Sequence, residues 1–438
     1  MSGKVATSQS TEQELHKLQK RTFAYFLHEA NPDNGLVKDK TSDHSPASIT
    51  AVGLALTAYP IGVERGFWTR SQAVERTLNT LRFFESSQQG PEPDASGYRG
   101  FYYHFLDMNS GRRAWECELS TIDTAFLMAG ILVASSYFDK ENSSENQIRE
   151  LANSLYERVD WNWARNEGDS VSHGWKPESG FLKARWEGFN EALIIYVLGL
   201  GSGNYPLPSE SYKAWTRDFQ LKQIYDQTLL YGGPLFMHQF SHIWLDLQGL
   251  QDDFLRKNEL DFFENSRRAT LIQQQYAIRN PMNYQGYGEH CWGITASDGP
   301  GPKVAKIDGI ERQFYDYRAR GVPFGPDDGT LAPWSVVSSL PFASEIVLPT
   351  IDYFNALDLQ VNNPYGFKAT FNATFVEQKE NRKFWVSPWH YGLNQGPIVM
   401  MIENYRSQMT YELTRKSKPI VNGLKRAGFA GGWLDDKG

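Results

Sequence analysis

Apolar residues recur at helical spacing along most of the chain. From Thr11 to Glu29, Leu15, Leu18, Phe23 and Phe26 mark one face, and Pro32-Asp33-Asn34-Gly35 supplies a stop and a turn. Similar runs at Ile49–Tyr59, Ser71–Ser87, Ser120–Tyr137, Glu145–Val159, Asn190–Leu200, Glu259–Ile278, Ala343–Leu357 and Ile398–Ser407 predict further helices. With weaker segments they number roughly a dozen. Loops rich in Gly, Pro and aromatic residues separate alternate helices, at Gly90–Arg113, Trp161–Trp186, Met282–Leu331 and Val361–Gln395. Short connections at one end and long ones at the other predict stacked helical hairpins. A ring of such hairpins is an all-α (α/α)6 toroid with its long loops at one mouth. No fixed repeat period supports a solenoid. Gly97–Phe105 and Ala369–Val376 alternate well enough for hairpins near that mouth. No linker or low-complexity stretch divides the chain, so a single domain over residues 1–438 is expected.

Composition narrows the class. A net charge of -7, with charged residues at 22% and hydrophobic residues at 40%, reads as an ordinary globular protein and gives no basic surface for nucleic acid. The longest apolar stretch, Ala192–Leu200, is too short to cross a bilayer, so no membrane partner is expected. The polar stretch Met1–Gln13 has no signal-peptide core. Cys117 and Cys291 are the two cysteines, which excludes a disulfide framework but allows one bridge between them. No zinc-like Cys/His spacing, calcium loop or cofactor motif is present, so neither metal nor cofactor is expected. The 13 Trp, 22 Tyr and 26 Phe often stand beside Gly, Asn, Asp or Glu, a bias that suits a large polar cleft or a carbohydrate surface.

Carboxylates cluster among these rings. Trp115-Glu116-Cys117-Glu118-Leu119-Ser120-Thr121-Ile122-Asp123 places three acids at the start of an apolar run. Ser120 and Asp123 have capping-box spacing, so Asp123 is read equally as a cap reaching back to the helix start and as a cleft acid. Glu116 and Glu118 would face one side of an extended strand, or would be plain solvated loop acids. Glu187 and Glu191 are four apart and would share a helix face, where repulsion and the rings of Trp186, Phe189 and Tyr196 would keep one of them protonated; the alternative is that Glu187 precedes the helix and Glu191 sits in its first turn, where the macrodipole favours an acid. A third segment, Asn283 to Pro300, reads as a loop presenting Tyr287, Glu289, Trp292 and Asp298. Ser241-His242-Ile243-Trp244-Leu245-Asp246 repeats the mixture, with Asp246 as a sugar contact or a cap. Paired carboxyl groups with aromatic platforms are the requirements of glycoside hydrolysis, in which one acid protonates the leaving oxygen and another activates water or attacks carbon.

The segments Glu118–Thr124, Gly188-Phe189-Asn190-Glu191-Ala192, Ser241–Asp246, Phe263–Ala269, Trp292–Pro300 and Gly396–Arg406 resemble, in order, the glucoamylase-like domain of bacterial β-1,2-glucanases, glycoside hydrolase family 144, and its relatives in cyclic β-1,2-glucan synthases. The resemblance implies an (α/α)6 barrel and an inverting hydrolase of β-1,2-glucan, endo-acting or releasing sophorose from chain ends. It implies a periplasmic or extracellular enzyme, while the polar start of the sequence leaves a cytoplasmic one open; a monomer is the favoured oligomeric state. Carried over, it makes Glu191 the proton donor and Asp123 or Glu118 the group that activates water. Candidate substrate contacts are Arg112, Glu116, Trp186, Glu187, Asp246, Tyr287, Glu289, Trp292, Asp298 and Trp389. The pattern departs at Ala369, where relatives commonly carry aspartate, which implies an altered subsite. Competing readings are a transglycosylase, a polysaccharide lyase, which the acid-rich motifs argue against, and a non-catalytic glycan-binding protein.

Overall fold

The computed structural model describes residues 8–360, 362–376 and 384–435. Part of the expected Val361–Gln395 loop and the first residues of the polar amino terminus lie outside these. The described residues contain fourteen α-helices and only short strands, the longest of five residues. The chain interleaves two compact units. One comprises Tyr25–Phe219, Ser241–Phe262 and Ser407–Gly438; the other comprises Met1–Ala24, Gln220–Phe240 and Phe263–Arg406. Among the described residues no helix is long and apolar enough to cross a membrane.

In the first unit the helices Ile49–Glu64 and Thr121–Tyr137 are apolar on nearly every side and almost wholly buried, as expected of core helices. They touch backbone to backbone. A Cβ on Gly130 would lie 2.0 Å from the Gly53 carbonyl oxygen, and one on Gly53 would lie 2.4 Å from that of Phe126. Trp244 fills the space beside them, stacked on Phe126 at 5.3 Å and donating its indole N–H to Thr57 Oγ1 at 2.9 Å. Gly130→Ala is expected to destabilise the protein by about 2 kcal/mol, the usual scale of overpacking, as measured by urea unfolding. An unchanged midpoint would mean that the seam can part at no cost.

A five-stranded antiparallel sheet crosses the start of the Thr121–Tyr137 helix, in the order Gly97–Tyr98, Phe101–Tyr103, Leu119–Ser120, Gly174–Lys176, Gly180–Phe181. Its register sets Tyr103 opposite Leu119 and Ser120 opposite Gly174. The hairpin expected over Gly97–Phe105 is present, with Gly97–Tyr98 and Phe101–Tyr103 paired antiparallel across a turn at Arg99 and Gly100. The helix expected from Asn190 begins only at Leu193. Gly188 takes a left-handed φ of 70°, and Asn190 Oδ1 accepts the N–H of Ala192 at 3.0 Å, a local bond that competes with a helical one. Glu187 and Glu191 thus precede the helix and do not share a helical face.

The second unit carries the hairpins Leu221–Ile224/Gln227–Leu230 and Lys303–Ile307/Ile310–Phe314, neither of which is expected from hydrophobic alternation. It also holds a three-stranded sheet of Thr330–Leu331, Phe371–Asn372 and Trp385–Val386. Arg320 and Asp328 form a fully buried ion pair at 2.7 Å, and Arg320 also donates to the Ser297 carbonyl. Such a pair survives burial because its remaining donors find partners. Both cysteines are free and buried.

Candidate active site

Asp123 lies in the first turn of the Thr121–Tyr137 helix, and Ser120 is its N-cap, accepting the Asp123 N–H at 3.2 Å. The Ser120 hydroxyl donates to Asp123 Oδ2, and the Thr50 hydroxyl, at the start of the Ile49–Glu64 helix, donates to Oδ1. Ser120 thus caps the helix as expected, but the Asp123 carboxylate takes a hydroxyl on each oxygen. The Gly53–Gly130 seam and these two hydroxyls fix it on a rigid floor.

Beyond the strand Phe101–Tyr103, the His104 N–H continues the ladder to the Glu118 carbonyl at 3.0 Å, which sets the two side chains next to each other. His104 Nδ1 lies 3.0 Å from Glu118 Oε1, and Nε2 lies 3.6 Å from Asp123 Oδ1. Phe105 stacks on the imidazole at 3.9 Å. Burial alone would lower the His104 pKa. The charge of Asp123, the hydrogen bond and charge of Glu118 and the charge of Asp39 outweigh it and push the pKa up to about 9. At neutral pH this favours the imidazolium, with Nδ1 in hydrogen-bond contact with Glu118 and Nε2 directed at Asp123 without a hydrogen bond. Burial would likewise raise Glu118, but the His104 bond and charge, with Lys176, hold it below the usual range. Asp39 is pushed up to about 6 by burial and by Asp123, against the pull of His104 and Lys40.

Glu191 completes the cluster from the loop before the Leu193–Gly201 helix. The residue as a whole is partly exposed, yet its Oε2 is buried and has no hydrogen-bond partner. Burial, with the charge of Asp123 acting in the same direction, pushes its pKa up to about 7, although its own backbone N–H pulls the other way. Its carbonyl accepts the Ser241 hydroxyl at 3.0 Å. One carboxyl that keeps its proton near neutrality and a set of fixed carboxylates sharing one cation are the two parts that acid–base cleavage requires. The ligand atoms of His104, Glu118 and Asp123 lie within 4.8 Å of one another, a set that sequence spacing does not reveal. They could hold a divalent cation only after the imidazole loses its proton.

The other expected contacts in this unit have different roles. Trp186 is buried, its indole N–H donating to Thr121 Oγ1 at 2.9 Å and its ring covered by His173 at 3.7 Å, so it backs the helix start and offers no open face. Glu187 is exposed and accepts the Ser170 hydroxyl at 2.6 Å. Glu116 is exposed, and Trp115 and Glu116 both take left-handed φ angles, which turns the chain and separates Glu116 from Glu118. Arg112 pairs on the surface with Asp94. Asp246 is buried in an ion pair with Arg415 and serves as a structural tie.

In the second unit Tyr287 donates its hydroxyl to Asp327 at 2.8 Å, as Tyr276 does at 3.0 Å, and burial raises the Asp327 pKa. Glu289 is exposed. Trp292 has no exposed surface, so its ring has no face for a sugar. Asp298 accepts the Ser387 hydroxyl at 2.6 Å, and half-buried Trp389 donates its backbone N–H to the same serine oxygen at 3.2 Å. Ala369 is fully buried. His104, Asp39 and Asp327 are absent from the sequence-derived set; His104 could have been flagged as the polar residue ending the Phe101–Tyr103 alternation.

The chain is 32% identical to a "putative glucoamylase" from Bacteroides uniformis, with a TM-score of 0.85 over 98% of this chain and all of that one. It is 26% identical to an endo-β-1,2-glucanase from Chitinophaga pinensis in complex with sophorotriose and glucose, with a TM-score of 0.84 over 97% and 99% of the two chains. The fold class is thus the all-α, α/α toroid type expected from the helical hairpins. The chain belongs to the Glycoamylase family, described as "putative glucoamylase", whose model matches residues 183–418. It is also 28% identical, over 95% of its length, to an exo β-1,2-glucooligosaccharide sophorohydrolase (non-reducing end) from Parabacteroides distasonis. The chain spans 58% of the length of that curated relative.

Proposed function

We propose that the chain is a glycoside hydrolase acting as one domain on β-1,2-glucan, cutting within the chain with inversion to give short sophoro-oligosaccharides. The observation that carries this reading is the Glu191 carboxyl, its pKa pushed up to about 7 by burial, near an Asp123 side chain that two hydroxyls hold in place. Relatives named as β-1,2-glucan hydrolases supply the substrate class. In the reaction Glu191 gives its proton to the departing O2 of one glucosyl unit as the C1–O bond breaks. A water attacks C1 from the opposite face, and its proton passes to Asp123, or to Glu118 in the alternative assignment. Exchange of protons with solvent restores both groups. His104 approaches Asp123 Oδ1 with Nε2 at 3.6 Å, and the hydroxyls of Thr50 and Ser120 fix the direction of that carboxyl group.

Release of sophorose from chain ends is the second reading, favoured by the name of the Parabacteroides relative. Linear β-1,2-glucan incubated with the protein is expected to yield a spread of short oligomers, with new reducing ends of inverted anomer by NMR. Sophorose alone would select exo action, a retained anomer would remove the inverting mechanism, and no cleavage would sink the hydrolase reading.

A further inference from the structure

Beside the acid cluster lies a cavity of about 510 Å³, within the usual size of small-ligand sites. Its wall includes Trp115, 62% exposed and the one exposed tryptophan among the described residues. Consecutive left-handed φ angles of 56° and 48° at Trp115 and Glu116 are costly for such side chains and hold the ring outward. Asp43, His44 and Asn109 also line the cavity, and none of their side chains makes a hydrogen bond within the described residues. An open indole face with unspent carboxylate, imidazole and amide groups suits a pyranose, whose C–H face stacks and whose hydroxyls both donate and accept. The mixed charge, with Lys38 and Glu29 paired at 3.4 Å on the same wall, gives no bias towards an anion.

The cavity is coupled to the cluster on two sides. Trp115 packs on Phe105 at 5.1 Å, and Phe105 is the ring stacked on His104. Pro46, on the cavity wall, accepts the Asp39 N–H at 2.8 Å. We propose that this cavity is a remote glucosyl subsite in which Trp115 supplies the stacking face and Asp43, His44 and Asn109 bind hydroxyls of a β-1,2-glucan chain running on from the cleavage point. The inference rests on the β-1,2-glucan reading and deepens it, because a remote subsite rewards long chains over short ones.

The test is calorimetric binding of linear β-1,2-glucan and of sophorotriose to Glu191→Gln protein, with and without Trp115→Ala. Removal of the ring is expected to weaken polymer binding about tenfold and to leave sophorotriose affinity unchanged. Trp115→Tyr, which keeps a stacking face, is expected to recover most of the loss. Equal polymer affinity with and without the ring overturns the subsite while leaving the hydrolase reading intact. Equal weakening for both ligands overturns its remoteness. If neither ligand binds the Glu191→Gln protein, the β-1,2-glucan reading itself fails and the subsite with it. Trp115 is exposed, so its loss leaves the core unchanged, and an unaltered melting temperature checks this.

Discussion

Glu191→Gln is expected to lower kcat on β-1,2-glucan by about 10³-fold, within the range for loss of a general acid, while substrate binding survives. The amide matches the carboxyl in size but has no proton to give to the leaving oxygen. Wild-type activity should fall as pH rises through about 7, because the donor then ionises. The same group sets a stability trend of known sign. Its pKa is raised from 4.5 to about 7, so between those values the folded state holds a proton that the unfolded chain has released. Stability therefore declines as pH rises through that window, and the full penalty of a buried charge is present above it. The Gln variant escapes this penalty and should be more stable than wild type at pH 8, by on the order of 1–3 kcal/mol, with the difference gone near pH 4. Thermal melts across pH read this without reference to turnover. Full activity in the variant would remove Glu191 from the donor role.

His104→Gln is expected to cost about 100-fold in kcat, because the amide keeps a hydrogen bond to Glu118 but removes the cation that Asp123, Glu118 and Asp39 share. Asp39, Glu118 and Asp123 face the ring, with Lys40 beside Asp39, and Lys176 and His173 beside Glu118. Loss of the positive charge raises the affinity of the carboxylates for protons, so the acid limb of the activity profile should move to higher pH. The folded-state pKa of His104 is raised from 6.5 to about 9. Its stabilising contribution is therefore complete below pH 6.5 and is lost as pH rises through 9, up to about 3 kcal/mol before allowance for partial exposure. Melting temperatures of wild type and variant should converge above that window. An unmoved acid limb, with melting curves parallel at all pH values, would leave His104 as a packing residue only.

The amphipathic helices were legible because one-sided burial leaves a 3.6-residue period, as at Arg70–Ser86, where Ala73, Leu78, Leu81 and Phe84 turn inward. The core helices were legible by length and apolarity. The Lys303–Phe314 hairpin was not, since its strands are largely exposed and lack apolar alternation. Its Asp308-Gly309 turn, with φ angles of 52° and 80°, was the available signal. Among the acids, Glu191 and Asp123 stood out because each opens an apolar run. His104 and Asp39 did not, because their meaning arises from a ladder and a loop that join distant segments. Trp186 and Trp292 looked like sugar platforms because composition reports rings but not which faces are covered.

The contact between Gly53 and Gly130 also constrains how the floor beneath Asp123 can vary. With no side chain in the seam, main-chain contact limits how closely the helices that carry Thr50 and Asp123 can approach, and the interval widens only at the expense of core packing. Adaptation to other linkages or chain lengths is therefore channelled into the loops, where Trp115 stands, while the floor acts as a fixed gauge against which each new loop must fit its sugar.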